Sequence, residues 1–170
     1  MDTAKTISKT ELDKLFIHQL NRVNCTKGYL ARNLPPLAEV ASFKNMKLAI
    51  MEAHADVKKQ QSRIDDMYKL LHSEPSDEGC EVVKAVLEEA YNLGDSKDKS
   101  RIINDMDIIL YMRMIENMEL TSFKMLRLIN QYMGNDQLTQ LLAECCDESA
   151  DNDELFSMIS EEYLNQKVLQ

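Results

Sequence analysis

Hydrophobic residues recur at alternating spacings of three and four positions along most of the chain. This spacing places them on one face of an α-helix, and it predicts four long amphipathic helices. The first begins at Ser8 or Thr10 and breaks near Ser42, and the second carries its apolar face from 43 to 71. The third runs from Arg101 to Met133, and the fourth follows it to about 162. A shorter helix is predicted from about Glu78 to Leu93.

Helix-breaking and capping residues mark several of these boundaries. Gly94 is expected to terminate the short helix, since glycine accepts the left-handed conformation that often ends one. Gly134 and Asn135 end the third long helix, and Asp136 is placed to cap the last. Pro35 and Pro36 fall inside the first helix and are expected to bend it, because each lacks an N–H donor.

The composition agrees with a single helical domain. The chain has 170 residues, of which 44% are hydrophobic, with only 4 glycines and 3 prolines. We therefore treat 1–170 as one domain, with an ordered core of about 9–164 and short tails. Four long helices joined by brief loops, with a short extra helix between the second and the third, predict an all-α antiparallel four-helix bundle.

The charge is negative and unevenly distributed. The formal net charge is -9, which argues against nucleic acid as a partner. No lysine or arginine lies between Arg127 and Lys167, although acids recur there. This stretch is either a solvated face or a docking surface for a basic protein partner. No apolar run reaches the length of a membrane span, so no membrane association is expected.

The four cysteines show no metal-binding spacing. Cys145 and Cys146 are adjacent, so a helix points them about 100° apart and they are not expected to bridge each other. Cys25 and Cys145 are predicted to be core cysteines. A reducing, cytoplasmic location is the default expectation for such a chain.

Each long helix also carries polar residues near its midpoint. The first has Lys27 on its apolar face, and the second has Asp56, with His54 and Gln60 close by. Glu116 and Glu119 are three residues apart in the third helix, so they share one face. The last helix has Glu148. Carboxylates that converge from several helices are the ligands of di-iron and di-manganese sites.

The order and spacing of several short motifs resemble the bacterial YciE/YciF-type stress proteins, which have a ferritin-like fold. The likeness extends from about Leu12 to Ile159. The motifs are Phe16-Ile17-His18-Gln19-Leu20, Leu34-Pro35 with Leu37-Ala38, Arg63-Ile64-Asp65, Cys80 followed by Val86-Leu87-Glu88-Glu89-Ala90, Glu116-Asn117-Met118-Glu119 before Phe123, and Leu141-Leu142 with Glu148 and Asp153.

The resemblance implies a di-metal carboxylate site, but this chain carries only part of the family's pattern. It retains Glu116, Glu119, Glu148 and Asp153. Asp56 stands where the family has a glutamate, whose side chain is longer. The family's remaining ligand positions are occupied by other residues: Lys27 in place of a glutamate, Ala53 in place of a histidine, Ala55 in place of a glutamate, Asn117 in place of a histidine and Ser149 in place of a glutamate.

Lys27 is the decisive departure, because an ammonium in a dry metal site repels a divalent ion. Our hypothesis is that Lys27 bonds to Glu116, Glu119 or Glu148 and replaces the metal. Two alternatives stay open. Lys27 extends toward solvent, or one metal remains on Asp56, Glu116, Glu119 and Glu148.

These considerations predict a stress-associated bundle protein without catalytic residues and without a cofactor. The alternatives are an active iron or manganese enzyme, a ferroxidase or a peroxide-consuming protein, and an interaction module that uses the acidic last helix. The sequence contains no Gly-rich phosphate loop and no nucleophile motif. The resemblance also implies a homodimer.

Overall fold

A computed structural model describes residues 6–76 and 79–168, and within those ranges the chain forms five α-helices and no strand. Their bounds are α1 Lys9–Val40, α2 Lys44–Leu70, α3 Glu81–Gly94, α4 Arg101–Met133 and α5 Asp136–Val168. Residues 1–5 and 169–170, which belong to the predicted tails, lie outside the described residues. The all-α prediction is confirmed.

The four long helices form an antiparallel bundle in which α1 packs on α2 and α4, and α5 packs on α2 and α4. Short loops reverse the chain between α1 and α2 and between α4 and α5. The crossover from α2 to α4 contains α3, which packs on α1 and α4. At one end of the bundle, the buried Asp105 of α4 accepts hydrogen bonds from the Ser42 N–H and the Tyr163 hydroxyl, each 2.8 Å long.

The apolar core is divided into two clusters. One includes Leu34, Ile50, Ile109 and Phe156, near the end that holds Asp105. The other, near the opposite end, includes Phe16, Ile64, Phe123 and Leu142. Polar side chains that are nevertheless buried lie along the chain between these clusters: Lys27, Gln60, Glu116, Glu119, Ser149 and Asn152.

Several helix ends match the sequence prediction. Ser8 caps α1, and its side chain and backbone exchange hydrogen bonds with Glu11 in a capping box. The predicted bounds of α4 are those observed, and it ends at Gly134, whose φ of 70° is left-handed. The short helix begins at Glu81 and not at Glu78, which lies outside the described residues. At the other end of the chain, α5 continues past 164 to Val168.

Two predicted roles at helix ends were wrong. Asp136 is the first residue of α5, and the cap is Asn135, whose side-chain oxygen accepts from the N–H groups of Gln137 and Leu138, each at 3.1 Å. α3 does end at Gly94, but Gly94 is its last helical residue and has no positive φ, so it does not act as a left-handed cap. A Cβ atom there would lie 2.5 Å from Ile108 Cδ1, so Gly94 is needed for close helix packing.

α1 continues through both prolines, and at Pro35 the neighbouring helix supplies the missing donor. Pro35 lacks the N–H that would bond to the Ala31 carbonyl four residues earlier. His54 of α2 lies with Nε2 3.0 Å from that carbonyl oxygen and donates to it. His54 is therefore a satisfied structural residue.

No helix within residues 6–76 and 79–168 is both long enough and apolar enough to span a lipid bilayer.

Candidate functional site

Lys27 is fully buried in the bundle. The spacing of apolar residues on α1 turns position 27 inward with Val23 and Leu30. Its Nζ lies 2.5 Å from Glu119 Oε2 on α4 and donates a second hydrogen bond to Gln60 Oε1 on α2. The ammonium is also 5.1 Å from the centroid of the Phe123 ring, which is within the range of a cation–π contact. Three helices thus meet at one buried cation.

Gln60 connects the lysine to the fourth long helix. Its amide nitrogen donates a hydrogen bond of 3.4 Å to the Cys145 carbonyl oxygen on α5. Its amide oxygen accepts from Lys27. An amide suits this position because it accepts from the ammonium and donates to the carbonyl at once. The contact orients Lys27 toward Glu119 without adding a second charge.

Glu116 and Glu119 share the inner face of α4, as their spacing predicts, with exposures of 2% and 3%. Among the described residues, Glu116 Oε2 and Glu119 Oε1 have no hydrogen-bond partner. Burial raises the pKa of Glu116 well above 4.5; the neighbouring Glu119 carboxylate adds to this shift and Lys27 opposes it. We therefore treat Lys27 and Glu119 as the ion pair of this cluster. The raised pKa of Glu116 favours its protonated form.

Replacing Glu116 with glutamine should stabilise the protein increasingly as the pH rises. Because the pKa of Glu116 is higher in the folded protein than in the unfolded chain, its protonation stabilises the fold. This stabilisation is fully present below the unfolded pKa of 4.5. That stability is lost as the pH rises toward the folded pKa, by up to about 1.4 kcal/mol per pH unit. Glutamine keeps the neutral shape and does not titrate. Urea unfolding of both proteins across this pH range measures the difference.

Glu161→Gln is the matched control, because Glu161 is an exposed carboxylate on α5. Its pH profile should follow that of the native chain. If the Glu116→Gln profile also runs parallel to the native profile, Glu116 is not protonated in the folded protein.

The other predicted metal ligands are paired with cations. Asp56 Oδ1 lies 2.6 Å from Lys59 Nζ, and Glu148 Oε2 lies 2.8 Å from Arg63 Nη1. Arg63 also bonds Glu144 through Nε at 2.7 Å. All three acids are less buried than Glu116 and Glu119. The structure therefore brings Glu116 and Glu119 together with Lys27, and it engages Asp56 and Glu148 elsewhere.

As arranged, these donors do not fit a di-metal centre. Such a centre needs several carboxylates free to bind the same ions. Here Glu119, Glu148 and Asp56 each have a cationic partner. Within the described ranges, no three His, Cys, Asp or Glu side chains converge as metal ligands. Ser149 is also buried and contributes a hydroxyl where a carboxylate would be required.

Sequence reasoning placed Gln60 near Asp56 without a role, and it assigned no role to Arg63 or Arg113. Gln60 lies on the inner face of α2 and Arg63 on its flank. Arg113 bonds Asp153 through Nε at 2.8 Å. The Arg113 hydrogen bond lowers the pKa of Asp153. A usable signal was present for Gln60, which falls on the apolar face of α2. Arg63 and Arg113 gave no comparable signal, because surface arginines are common on helices.

The expectation for Cys25 was wrong. Cys25 forms a disulfide with Cys80, the residue that precedes α3, and their Cα atoms are 5.6 Å apart. Cys145 is a buried free cysteine, as predicted. Burial raises the pKa of its thiol to about 12, so it is not a nucleophile.

Comparison with known proteins decides the family. A family model described as "Domain of unknown function (DUF892)" matches residues 11–169. The chain belongs to this family. Protein YciF of Escherichia coli (strain K12) is a relative of this chain, 23% identical over 146 residues, which are 84% of this chain and 86% of YciF.

Two solved structures have the same fold. The E. coli stress protein YciF superposes with a TM-score of 0.85 and 22% identity, over 91% of this chain and 97% of that one. YcfI of Rhodopseudomonas palustris, provisionally described as a structural protein, superposes with a TM-score of 0.80 and 19% identity, over 91% and 96%. The resemblance to YciE/YciF-type proteins and the ferritin-like fold that it implied are confirmed.

Proposed function

We propose that this DUF892 member is a non-catalytic, stress-associated structural protein in which a Lys27–carboxylate cluster replaces a di-metal centre. The observation that carries the proposal is the fully buried Lys27 ammonium, 2.5 Å from Glu119 Oε2. The descriptions of its relatives as a stress protein and a structural protein support the role.

The charges around Lys27 support the same interpretation. The ammonium balances Glu119, and burial, which raises the pKa of Glu116, favours its neutral form. The centre of the bundle therefore needs no metal for neutrality. A divalent ion at Glu119 would have to displace the lysine or share a dry site with it, and both are electrostatically costly.

Metal analysis of the purified protein tests the proposal directly. We expect much less than one iron or manganese per chain after growth with either metal in excess, and no turnover of oxygen or peroxide. Two tightly bound transition-metal ions per chain would favour the alternative, an active di-iron or di-manganese protein that uses Asp56, Glu116, Glu119 and Glu148.

Exchanging Lys27 for glutamate should increase manganese affinity by more than about tenfold, because a repelling cation becomes a carboxylate ligand. Isothermal titration and metal-dependent thermal shifts would measure the change. Lys58→Glu alters the charge by the same amount on the exposed side of α2, and it should leave the affinity unchanged. Equal affinities in the two variants would mean that Lys27 does not occupy the ligand position.

We also propose that the protein is a homodimer formed through the outer face of α4. Six exposed apolar residues follow a helical stripe there: Ile103, Leu110, Met114, Met125, Leu128 and Tyr132. About the midpoint of the stripe, an antiparallel second copy places Leu110 against Met125 and Ile103 against Tyr132, which are four of the six residues. This self-complementarity is what a two-fold interface requires. At 1.5 Å per residue, the contact is roughly 45 Å long.

Light scattering after size exclusion tests the dimer. The native chain should have the mass of two copies, and Leu110→Glu should have the mass of one. Met158→Glu, at an exposed methionine of α5, should remain dimeric. A monomeric native chain at micromolar concentration would contradict this interface.

For location we propose the cytoplasm. Cytoplasmic reductants would keep Cys25 and Cys80 as thiols unless an oxidant is present. Alkylation of both cysteines in unstressed cells would support this location, whereas protection of both would contradict it. Docking of a basic partner on α5 is a weaker proposal, because Glu144, Glu148 and Asp153 are already paired within the chain.

A further inference from the structure

A cleft of about 270 Å³ lies between α1, the start of α3 and α4, and it reaches the buried cluster. Its apolar walls are formed by Val23, Val83 and Met118, and Glu119 lines it. Ligand pockets in proteins begin at about 300 Å³, so this cleft suits a molecule with few heavy atoms.

Glu119 lines the cleft, and one of its two buried carboxylate oxygens has no partner in the described part of the chain. Lys27 occupies Oε2, whereas Oε1 has no partner among the described residues although Glu119 is only 3% exposed. A buried carboxylate oxygen without a donor is costly, because its lost hydration is not replaced. A ligand that donates to Oε1 would satisfy it, and an ammonium group is the strongest such donor.

Arg22 places the opposite charge on the exposed side of the same cleft. It is exposed and lines the cleft with Gln19 and Thr26. Its side chain crosses Gly79, where an added Cβ would lie 3.1 Å from Arg22 Cγ. Gly79 thus lets the arginine lie close to the backbone just before α3. No acid of residues 6–76 or 79–168 forms a salt bridge with Arg22.

We propose that this cleft binds a small zwitterion whose ammonium donates to Glu119 Oε1 and whose carboxylate pairs with Arg22. Glu119 is buried and Arg22 is exposed, and the cleft that both of them line also has apolar walls. The matching ligand is therefore an ω-amino acid, with its charges separated by a short aliphatic chain. The inference rests on the proposed function, since a metal bound at Glu119 would take the oxygen that the ammonium needs.

Titration calorimetry with β-alanine, γ-aminobutyrate and δ-aminovalerate tests the proposal. One chain length should bind best, and butylamine and butyrate should each bind about tenfold more weakly than that zwitterion, since each lacks one charged contact. Arg22→Ala should lower the affinity for the zwitterion about tenfold and leave butylamine unaffected. Arg32→Ala, a matched change elsewhere on α1, should leave both unchanged.

Two further variants keep the test decisive. Glu119→Gln should weaken the amine contact, but it also leaves Lys27 without its partner. Ser122→Trp, at an exposed residue of the cleft lining, fills the cleft and should abolish binding. Met158→Trp is its control on α5. Thr121 and Met125 line the cleft, and Met125 also belongs to the α4 stripe, so the proposed dimer would cover part of the cleft. The titrations are therefore repeated with the Leu110→Glu variant.

Binding to neither the native chain nor the Leu110→Glu variant would overturn the proposal, and so would equal binding of butylamine and the zwitterion. Metal content measured on the same samples separates the two proposals. A metal-free protein that binds no zwitterion leaves the proposed function standing. A metal-loaded protein defeats the proposed function itself.

Discussion

Replacing Lys27 with methionine is expected to lower the free energy of unfolding by about 3–5 kcal/mol, which is the usual cost of removing one partner of a buried ion pair. Lys27 is fully buried and Glu119 is 3% exposed. Without the ammonium, Glu119 must either keep an uncompensated charge in the core or take up a proton. Gln60 also loses its donor. Urea unfolding followed by far-UV circular dichroism measures the loss.

The double variant Lys27→Met/Glu119→Gln separates the ion pair from simple packing. It removes both charges and keeps the side-chain volumes, so most of the lost stability should return. The coupling energy from the four proteins is then the relevant quantity. Lys58→Met, at an exposed lysine of α2, should change stability by less than about 0.5 kcal/mol. A Lys27→Met loss of under about 1 kcal/mol would equal that of a surface pair and contradict the buried geometry.

The same ion pair explains how far sequence reasoning could go. Lys27 falls on the apolar face of α1, so its burial followed from helical spacing. Its partner did not, because Glu119, Gln60 and Glu148 lie on three other helices. Which of them it meets depends on the height and rotation of those helices, and amphipathic periodicity does not determine either. Arg63 pairs with Glu148, 85 positions away, and no local pattern indicates such a contact.

The helices themselves were predictable because their signals are local. The bounds of α4 follow from apolar spacing and from Gly134, whose left-handed φ ends the helix. Gly94 was misassigned for the opposite reason. Its role is to admit Ile108 from the next helix, and that contact exists only in the folded bundle. A glycine near a helix end either ends the helix with a left-handed φ or admits a close neighbour, and the sequence does not distinguish the two roles.

The Cys25–Cys80 disulfide was beyond prediction on similar grounds. Four cysteines allow three complete pairings, and sequence spacing does not choose among them. The bond forms because the crossover returns Cys80 to the side of α1, where the preceding residue, Gly79, lies against Arg22. It attaches the start of α3 to α1 close to Lys27. The core-cysteine prediction was confirmed for Cys145, which is buried and free.

Removing this disulfide is expected to destabilise the oxidised protein by about 4 kcal/mol. The two cysteines are 55 positions apart. Opening a closed loop of that length returns that much chain entropy to the unfolded state, if the chain-entropy description holds. Cys80→Ser, compared with the native chain by urea unfolding without reductant, measures the effect.

Reductant provides the internal control for this prediction. Adding it to the native chain should reproduce most of the loss, whereas adding it to Cys80→Ser should change nothing. Because Cys145 and Cys146 are buried and free, they give no reductant-sensitive bond that could confuse the comparison. If the native unfolding curve is the same with and without reductant, and peptide mapping finds Cys25 and Cys80 as thiols, then α3 is held on α1 by packing alone. The stability of the crossover would then come from the contacts of Val83, Leu87 and Ala90 with the core.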